Sequence, residues 1–371
     1  MTEKLKTLMD RAADVDFAAV DLTAVFEGGD RAVQRRRRGM SALAGVAAVV
    51  LVAGGIALAT GGGDKHGRDR VPVVTTPQVT DPTWIVGQVL HSPTQQVDLG
   101  ADVRTYVQTS AGFAFLATDG RVLGYRGGAV ETLGRAWAEG SGDRDAQVRL
   151  VADPRAGLVG WVDATSPDAP EFVVHDLTTG AEQVLGQQSS NRRAVAEFFA
   201  IDDGTAYWLD GRGTVATDLA SGDARVLADF QHLQWIADVR QGLRVQLVES
   251  PDGGDQGMEL VDADGRALIS YRDLGSPGVL SPAGTWVAAA DAGTVWNVAD
   301  RQAVPLVPPS GAAAREVRGY QWLDDSTLLA VVEEKDDSTD LVRCAVPAGT
   351  CTPVATGLDF ETLVLPGIMV G

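Results

Sequence analysis

The chain has 371 residues, of which 45% are hydrophobic and 22% charged, with a formal net charge of -19 at pH 7. This length exceeds one ordinary core, so one large repeat-built domain or two smaller domains is expected. The charge is uneven: residues 1–38 carry eight Lys/Arg against seven Asp/Glu, and residues 71–371 carry twenty against forty-one, a surplus of acid that repels phosphate backbones and argues against nucleic-acid binding.

Residues 1–38 form a stub with apolar residues at partial helical spacing, Leu5, Leu8 and Ala12, then Val20, Leu22, Val25 and Phe26, before Gly28-Gly29 breaks the run. Two short amphipathic segments are expected, either a juxtamembrane tail or a docking segment for a cytoplasmic partner. From Gly39 to Gly63 no charge occurs, and Arg35 to Arg38 abut the N-terminal end. About 20 apolar residues cross a bilayer as a helix, so residues 39–61 are read as a single transmembrane helix and signal anchor. The arginines hold the N-terminus in the cytoplasm and send the acidic bulk outside. A cleaved signal peptide is the rival, with Ala57-Leu58-Ala59 as cleavage site and Arg37-Arg38 as a twin-arginine pair. Either way the following region is extracytoplasmic, where disulfides persist. Residues 62–83, rich in Gly, Thr and Pro, read as an extended linker.

Residues 84–371 contain no convincing helix. One unit recurs, a strand, a tight turn ending in Gly and an apolar strand, with turn glycines Gly112, Gly157, Gly204, Gly242 and Gly284 and with Ser326 continuing the series. The spacings are 45, 47, 38, 42 and 42 residues. A second hairpin follows each first one, best seen in VHDLTTGAEQVL from Val174 and ATDLASGDARVL from Ala216. Four antiparallel strands per repeat of about forty residues specify an all-β domain, a β-propeller. Six repeats run from about Asp102 to Leu358. The segment before them reads as two strands and the segment after as one or two, which together complete a seventh blade and remove the exposed sheet edges. Seven blades are favoured, with six as the alternative.

Cys344 and Cys351 are the only cysteines. Aligned on its turn glycine, CAVPAGTC falls in register with HDLTTGAE, so a four-residue turn from Val346 to Gly349 pairs Ala345 with Thr350 and sets Cys344 opposite Cys351. Opposed residues on antiparallel strands lie within disulfide range. A three-residue turn with a bulge would instead point the two side chains to opposite faces. Further metal ligands are lacking nearby, and the spacing is not that of a C-x-x-C redox pair.

SPAGTWVAAA, Ser281 to Ala290, resembles the S-P-D-G-x-x-[IV]-A motif of TolB-like and dipeptidyl-peptidase-type propeller blades, with Ala283 where the family usually has Asp. HDLTTG and TDLASG look like outer hairpins of the same WD-repeat-like class. The layout of stub, arginine cluster, span and propeller with an R-C-x6-C hairpin resembles uncharacterised single-span actinobacterial membrane proteins, some of which accompany extracytoplasmic-function sigma factors. The resemblance implies a signalling role. The zinc-binding motif of many anti-sigma domains is absent, because residues 1–38 hold neither His nor Cys.

The chain lacks H-E-x-x-H, G-x-S-x-G and G-x-x-x-x-G-K-[ST], so the commonest zinc protease, serine hydrolase and nucleotide-binding readings are not supported. The four histidines show no metal-ligand spacing. Asp-rich turns such as Asp262 to Gly265 lack the full EF-hand series. No cofactor and no metal is expected. Loop length is more informative. With strands numbered from the axis outward, the long segments 134–147, 163–171, 186–195, 249–259, 307–317 and 333–340 all rise on one face, and binding residues concentrate on loops carried by a rigid scaffold. The candidates there are Trp137, Arg144, Arg192, Arg193, Asp252, Asp255, Asp336 and Asp337. The expected function is a membrane-anchored binding or sensing module of the cell envelope for a protein, peptide or cell-wall ligand, coupled to a cytoplasmic partner through residues 1–38. The alternatives are an extracytoplasmic hydrolase or lyase with carboxylates around the central funnel, and a structural scaffold.

Overall fold

The computed structural model describes residues 79–138, 148–166, 169–187, 196–229, 234–249, 255–289, 293–309, 316–333 and 338–367. The predicted stub and span lie outside them. Among the described residues no helix is long and apolar enough to cross a membrane.

Seven four-stranded antiparallel sheets make up the domain, each a blade. The innermost strands of blades one to six are Val103–Thr109, Val151–Asp153, Glu197–Asp202, Ile236–Arg240, Gly278–Leu280 and Glu316–Asp324. Each is followed in sequence by the three strands that pair outward from it. In blade three these are Thr205–Asp210, Gly213–Asp218 and Ala224–Asp229. Blade seven is composite. Its innermost strand is Leu363–Val364, from the C-terminal end, and its outer three are Trp84–Val86, Val89–His91 and Gln96–Asp98. Ile85 pairs with Val364 and Val86 with Leu363. The ring is therefore closed by both ends of the domain. The N-terminal segment supplies three strands where the sequence suggested two, because Gln96–Asp98 is too short and polar to show an apolar run.

Burial follows the radial order. The inner strand of blade three is buried throughout, whereas its outer strand Ala224–Asp229 is largely exposed. The core lies between blades, where one sheet face meets the next: Trp161 and Val173 of blade two pack with Val107 and Leu116 of blade one. Phe172 of blade two stands 4.1 Å from the Trp208 ring of blade three. Full burial of each such ring contributes roughly 2–3 kcal/mol, and these clusters bind neighbouring blades to each other.

The repeated tight turns sit where the periodicity puts them. Gly157, Gly204, Gly242 and Gly284 have φ between 68° and 76°, a left-handed conformation that favours glycine. Gly112 differs, with φ 150°. The inner and outer hairpin turns share one face: Leu177 N donates to Gly157 O at 3.0 Å, Leu219 N to Gly204 O at 2.8 Å and Val346 N to Ser326 O at 2.7 Å. The second-to-third connections and the links between blades therefore leave from the opposite face.

Cys344 pairs with Cys351, and Ala345 with Thr350, in the register expected from the turn. The cysteines are joined by a disulfide. Cys344 is fully buried and Cys351 nearly so, packed with Ala288, Val295 and Leu306 of blade five.

Candidate functional site

A cavity of about 380 Å³ runs along the propeller axis. Blades one to six contribute to its wall, and Pro366 and Gly367, past the last strand of blade seven, complete it. Its volume lies in the range of small-ligand pockets. Val79 and Thr80 also line it, so the N-terminal approach to the domain runs past the channel. Arg343 Nη2 donates to Thr80 O at 3.4 Å, and Thr83, fully buried, donates through Oγ1 to Gln108 Oε1 at 2.9 Å.

The tight-turn end of the channel is acidic. Asp153, Asp238, Asp324 and Asp325 line it together with Arg155 and Arg240, and Asp202 lies beside them. Three of these carboxylates join neighbouring blades. Asp202 Oδ2 of blade three accepts Gln241 N of blade four at 2.7 Å, Asp238 Oδ2 of blade four accepts Leu280 N of blade five at 2.8 Å, and Asp325 Oδ1 of blade six accepts Ala283 N of blade five at 2.6 Å. Arg240 Nη1 pairs with Asp238 Oδ1 at 3.3 Å. Burial pushes the Asp202 carboxyl above the usual range. Arg240 and the Gln241 N–H oppose the shift, and Asp153 and Asp238 add to it. Among the described residues no group of three or more His, Cys, Asp or Glu is arranged to hold a metal ion.

The loop-face end differs in chemistry. Arg149, just ahead of blade two's innermost strand, lines the cavity and donates through Nη2 to Ala237 O of blade four at 2.6 Å. Glu197 begins the innermost strand of blade three and is 4% exposed. Burial pushes its carboxyl up to about 8, with Arg149 pulling the other way. Phe199 lines the cavity and meets the Trp235 ring edge-on, with centroids 5.5 Å apart.

Of the loop residues singled out from sequence, Arg144, Arg192, Arg193, Asp252, Asp336 and Asp337 lie outside the described residues. Asp255 begins a strand of blade four, with its side chain likewise outside the description. Trp137 is half-buried and packs against the apolar clusters of blades one to three. His91 stacks on Trp84 at 5.5 Å, and His175 lies between Trp161 and Glu182. Asp262 Oδ1 accepts the Asp264 and Arg266 N–H groups, which is turn chemistry. Arg149, Glu197 and Trp235 were not singled out from sequence. The one available signal was Glu197, a lone acid opening the apolar run EFFAI.

No family model matches the chain, and no curated protein matches it. Solved structures of similar fold include a prolyl endopeptidase at 12% identity and TM-score 0.46, covering 71% of this chain and 42% of that one. TolB from Acinetobacter baumannii shares 11% identity at TM-score 0.38, covering 71% of this chain and 68% of its own. A chain of the mitotic checkpoint complex shares 11% identity at TM-score 0.45, covering 84% and 91%. This chain thus spans about two fifths of the endopeptidase. At these identities the likeness is one of fold alone. The class that the topology defines is a seven-bladed β-propeller with a central channel, a fold commonly used as a binding module.

Proposed function

We propose that the chain is a binding module of the cell envelope, anchored by residues 39–61 with residues 1–38 in the cytoplasm, and that its propeller presents the loop-bearing face to a protein, peptide or cell-wall ligand. The observation that carries this reading is the inequality of the two faces. On the tight-turn face Asp202, Asp238 and Asp325 are committed to hydrogen bonds between blades. Recognition then falls to the opposite face, from which the long connections leave. The disulfide Cys344–Cys351 supports an extracytoplasmic location, since cytosolic thiols are kept reduced. Hydrolysis or lysis at the funnel would draw on the same aspartates that join the blades, so binding is the preferred reading.

Two measurements test it. In cells with permeabilised outer layers, protease should digest residues beyond about 70 and spare an N-terminal tag, because Arg35 to Arg38 precede the span. Loss of the tag with survival of the propeller would overturn the orientation. Photo-crosslinking residues at Arg193 and Asp337 should capture envelope material, and those at Thr179 and Ser221, in tight turns of blades two and three, should not. The reverse pattern would overturn the choice of face.

A further inference from the structure

Asp153 ends the innermost strand of blade two at the tight-turn mouth of the channel, and it lines the cavity. The residue is 4% exposed. Its Oδ1 accepts the Arg155 N–H at 3.0 Å and the Ala156 N–H at 3.3 Å, which fixes the turn. Its Oδ2 takes no hydrogen bond or ion pair from any described residue and is open to the cavity. Asp202, Asp238 and Asp325 each give an oxygen to a neighbouring blade, whereas the second oxygen of Asp153 serves no other part of the protein. A nearly buried carboxylate oxygen without a donor points to a partner from outside the chain.

Every inner turn of blades one to six lies within the described residues, so the charges of this mouth are known in full. Five carboxylates, Asp153, Asp202, Asp238, Asp324 and Asp325, meet three guanidiniums, Arg155, Arg240 and Arg343. Arg155 Nη2 lies 3.8 Å from Asp202 Oδ1, Arg240 pairs with Asp238 and Arg343 reaches Thr80 O, so none of the three is paired with Asp153. The surplus of acid remains even where burial keeps Asp202 protonated. A low-dielectric channel focuses such a surplus on an entering cation. Behind the mouth the wall is apolar, with Val151, Ala200, Leu280 and Leu323. A metal ion needs several convergent oxygens, and among the described residues no such group exists. A primary ammonium needs one good acceptor and a negative field, and its carbon stem lies on the apolar wall.

We propose that the tight-turn mouth of the channel, at Asp153, is a binding site for a primary organic ammonium with an apolar body, carried by a free amine or by a lysine side chain. The ammonium donates to Asp153 Oδ2 and the body extends into the channel. The inference goes beyond the loop-face reading and does not depend on it, since the site lies at the other end of the channel.

The test is calorimetric titration of the full chain in nanodiscs of zwitterionic lipid, with empty nanodiscs subtracted because amines partition into bilayers. The free-amine probe is phenethylamine, with phenethyl alcohol and phenylpropionate as neutral and anionic comparators of similar shape. Acetyl-Ala-Lys-Ala amide presents the same ammonium on a peptide. At least one of the two amines should bind saturably, about tenfold or more tighter than either comparator, and the tighter of the two identifies the source. Asp153→Asn keeps an acceptor for the turn and removes the charge, so it should weaken amine binding by about tenfold or more. Asp264→Asn, in an exposed outer turn of blade four on the same face, should stay within about threefold. Melting temperatures separate lost binding from lost folding, and if Asp153→Asn does not fold, the preference for amine over alcohol on the unaltered chain decides. Absence of saturable amine binding, equal binding of phenethyl alcohol, or unchanged affinity in a folded Asp153→Asn variant would each overturn the inference.

Discussion

Cys344 and Cys351 close an outer hairpin, yet both sit in the core between blades five and six beside Ala288, Val295 and Leu306. Replacing both by serine removes the loop constraint, about 2–3 kcal/mol for so short a loop, and places two hydroxyls among apolar neighbours. We expect the double variant to lose about 3–5 kcal/mol in denaturant unfolding at equal m-value. A loss below about 1 kcal/mol would show that the hairpin register is held without the bond. Glu197 gives a pH signature. Its folded carboxyl is raised to about 8 by burial, against the ordinary 4.5. The folded state therefore holds a proton that the unfolded chain releases between those values, so this group's contribution to stability is fully present below about 4.5 and is lost as pH rises towards 8. Glu197→Gln should remove that slope and gain up to about 4 kcal/mol on wild type between pH 5 and pH 8. Parallel stability curves for the two proteins would refute the shift. The cysteine pairing was legible because a turn glycine fixes the register of both flanking strands. The surroundings of Glu197 were not, because the Arg149 that acts on its carboxyl lies 48 residues away in the preceding blade and comes near only when the blades close side by side.

Turns and staples work at the scale of the element. Gly204 and Gly213 flank the second strand of blade three and look alike in sequence, but their surroundings differ. Gly204 has φ 72° with nothing within 4 Å of an added Cβ. Gly213 has φ 123°, and an added Cβ would strike the Ala228 carbonyl oxygen and lie 2.7 Å from Asp229 C on the paired outer strand. Gly204→Ala should then cost about 1 kcal/mol of backbone strain, and Gly213→Ala about 3 kcal/mol or more, because paired backbone must move. Equal midpoints for the two variants in urea would contradict this contrast. The first glycine was visible from the repeat because tight-turn chemistry recurs in phase. The second was not, since its requirement comes from a neighbouring strand. The aspartate staples were likewise hidden: Asp238 reads as an ordinary strand residue until Leu280 N arrives from the next blade at 2.8 Å. Asp238→Ala leaves that N–H and the Arg240 guanidinium short of a partner, and about 1–3 kcal/mol should be lost in thermal or chemical unfolding.

At the scale of the whole molecule, stability depends on ring closure, and closure depends on a two-residue strand. Leu363–Val364 is the innermost strand of blade seven, paired to Trp84–Val86 from the other end of the domain. Past it, Gly367 N donates to Tyr106 O of blade one at 2.7 Å, and Pro366 bridges Tyr106 in parallel. The expectation of seven blades rested on leftover segments too short to read alone, and joining them mattered because an open ring would expose two sheet edges. Leu363 is 1% exposed and packs with Trp84, Tyr320 and Leu329, so it joins blade seven to blade six as well as to its own outer strands. Leu363→Ala should cost about 2–4 kcal/mol through lost burial and the cavity left behind. Val226→Ala, on the exposed outer strand of blade three, should stay within about 0.5 kcal/mol. Hydrogen exchange adds a spatial test. In Leu363→Ala the amides of Trp84–Val86 should lose protection together with those of Leu363–Val364, although nearly the whole domain separates them in sequence, because both segments depend on one closure. If the N-terminal strands kept wild-type protection while the C-terminal strand frayed, the seventh blade would be held by its outer three strands alone, and the ring would not depend on its last strand.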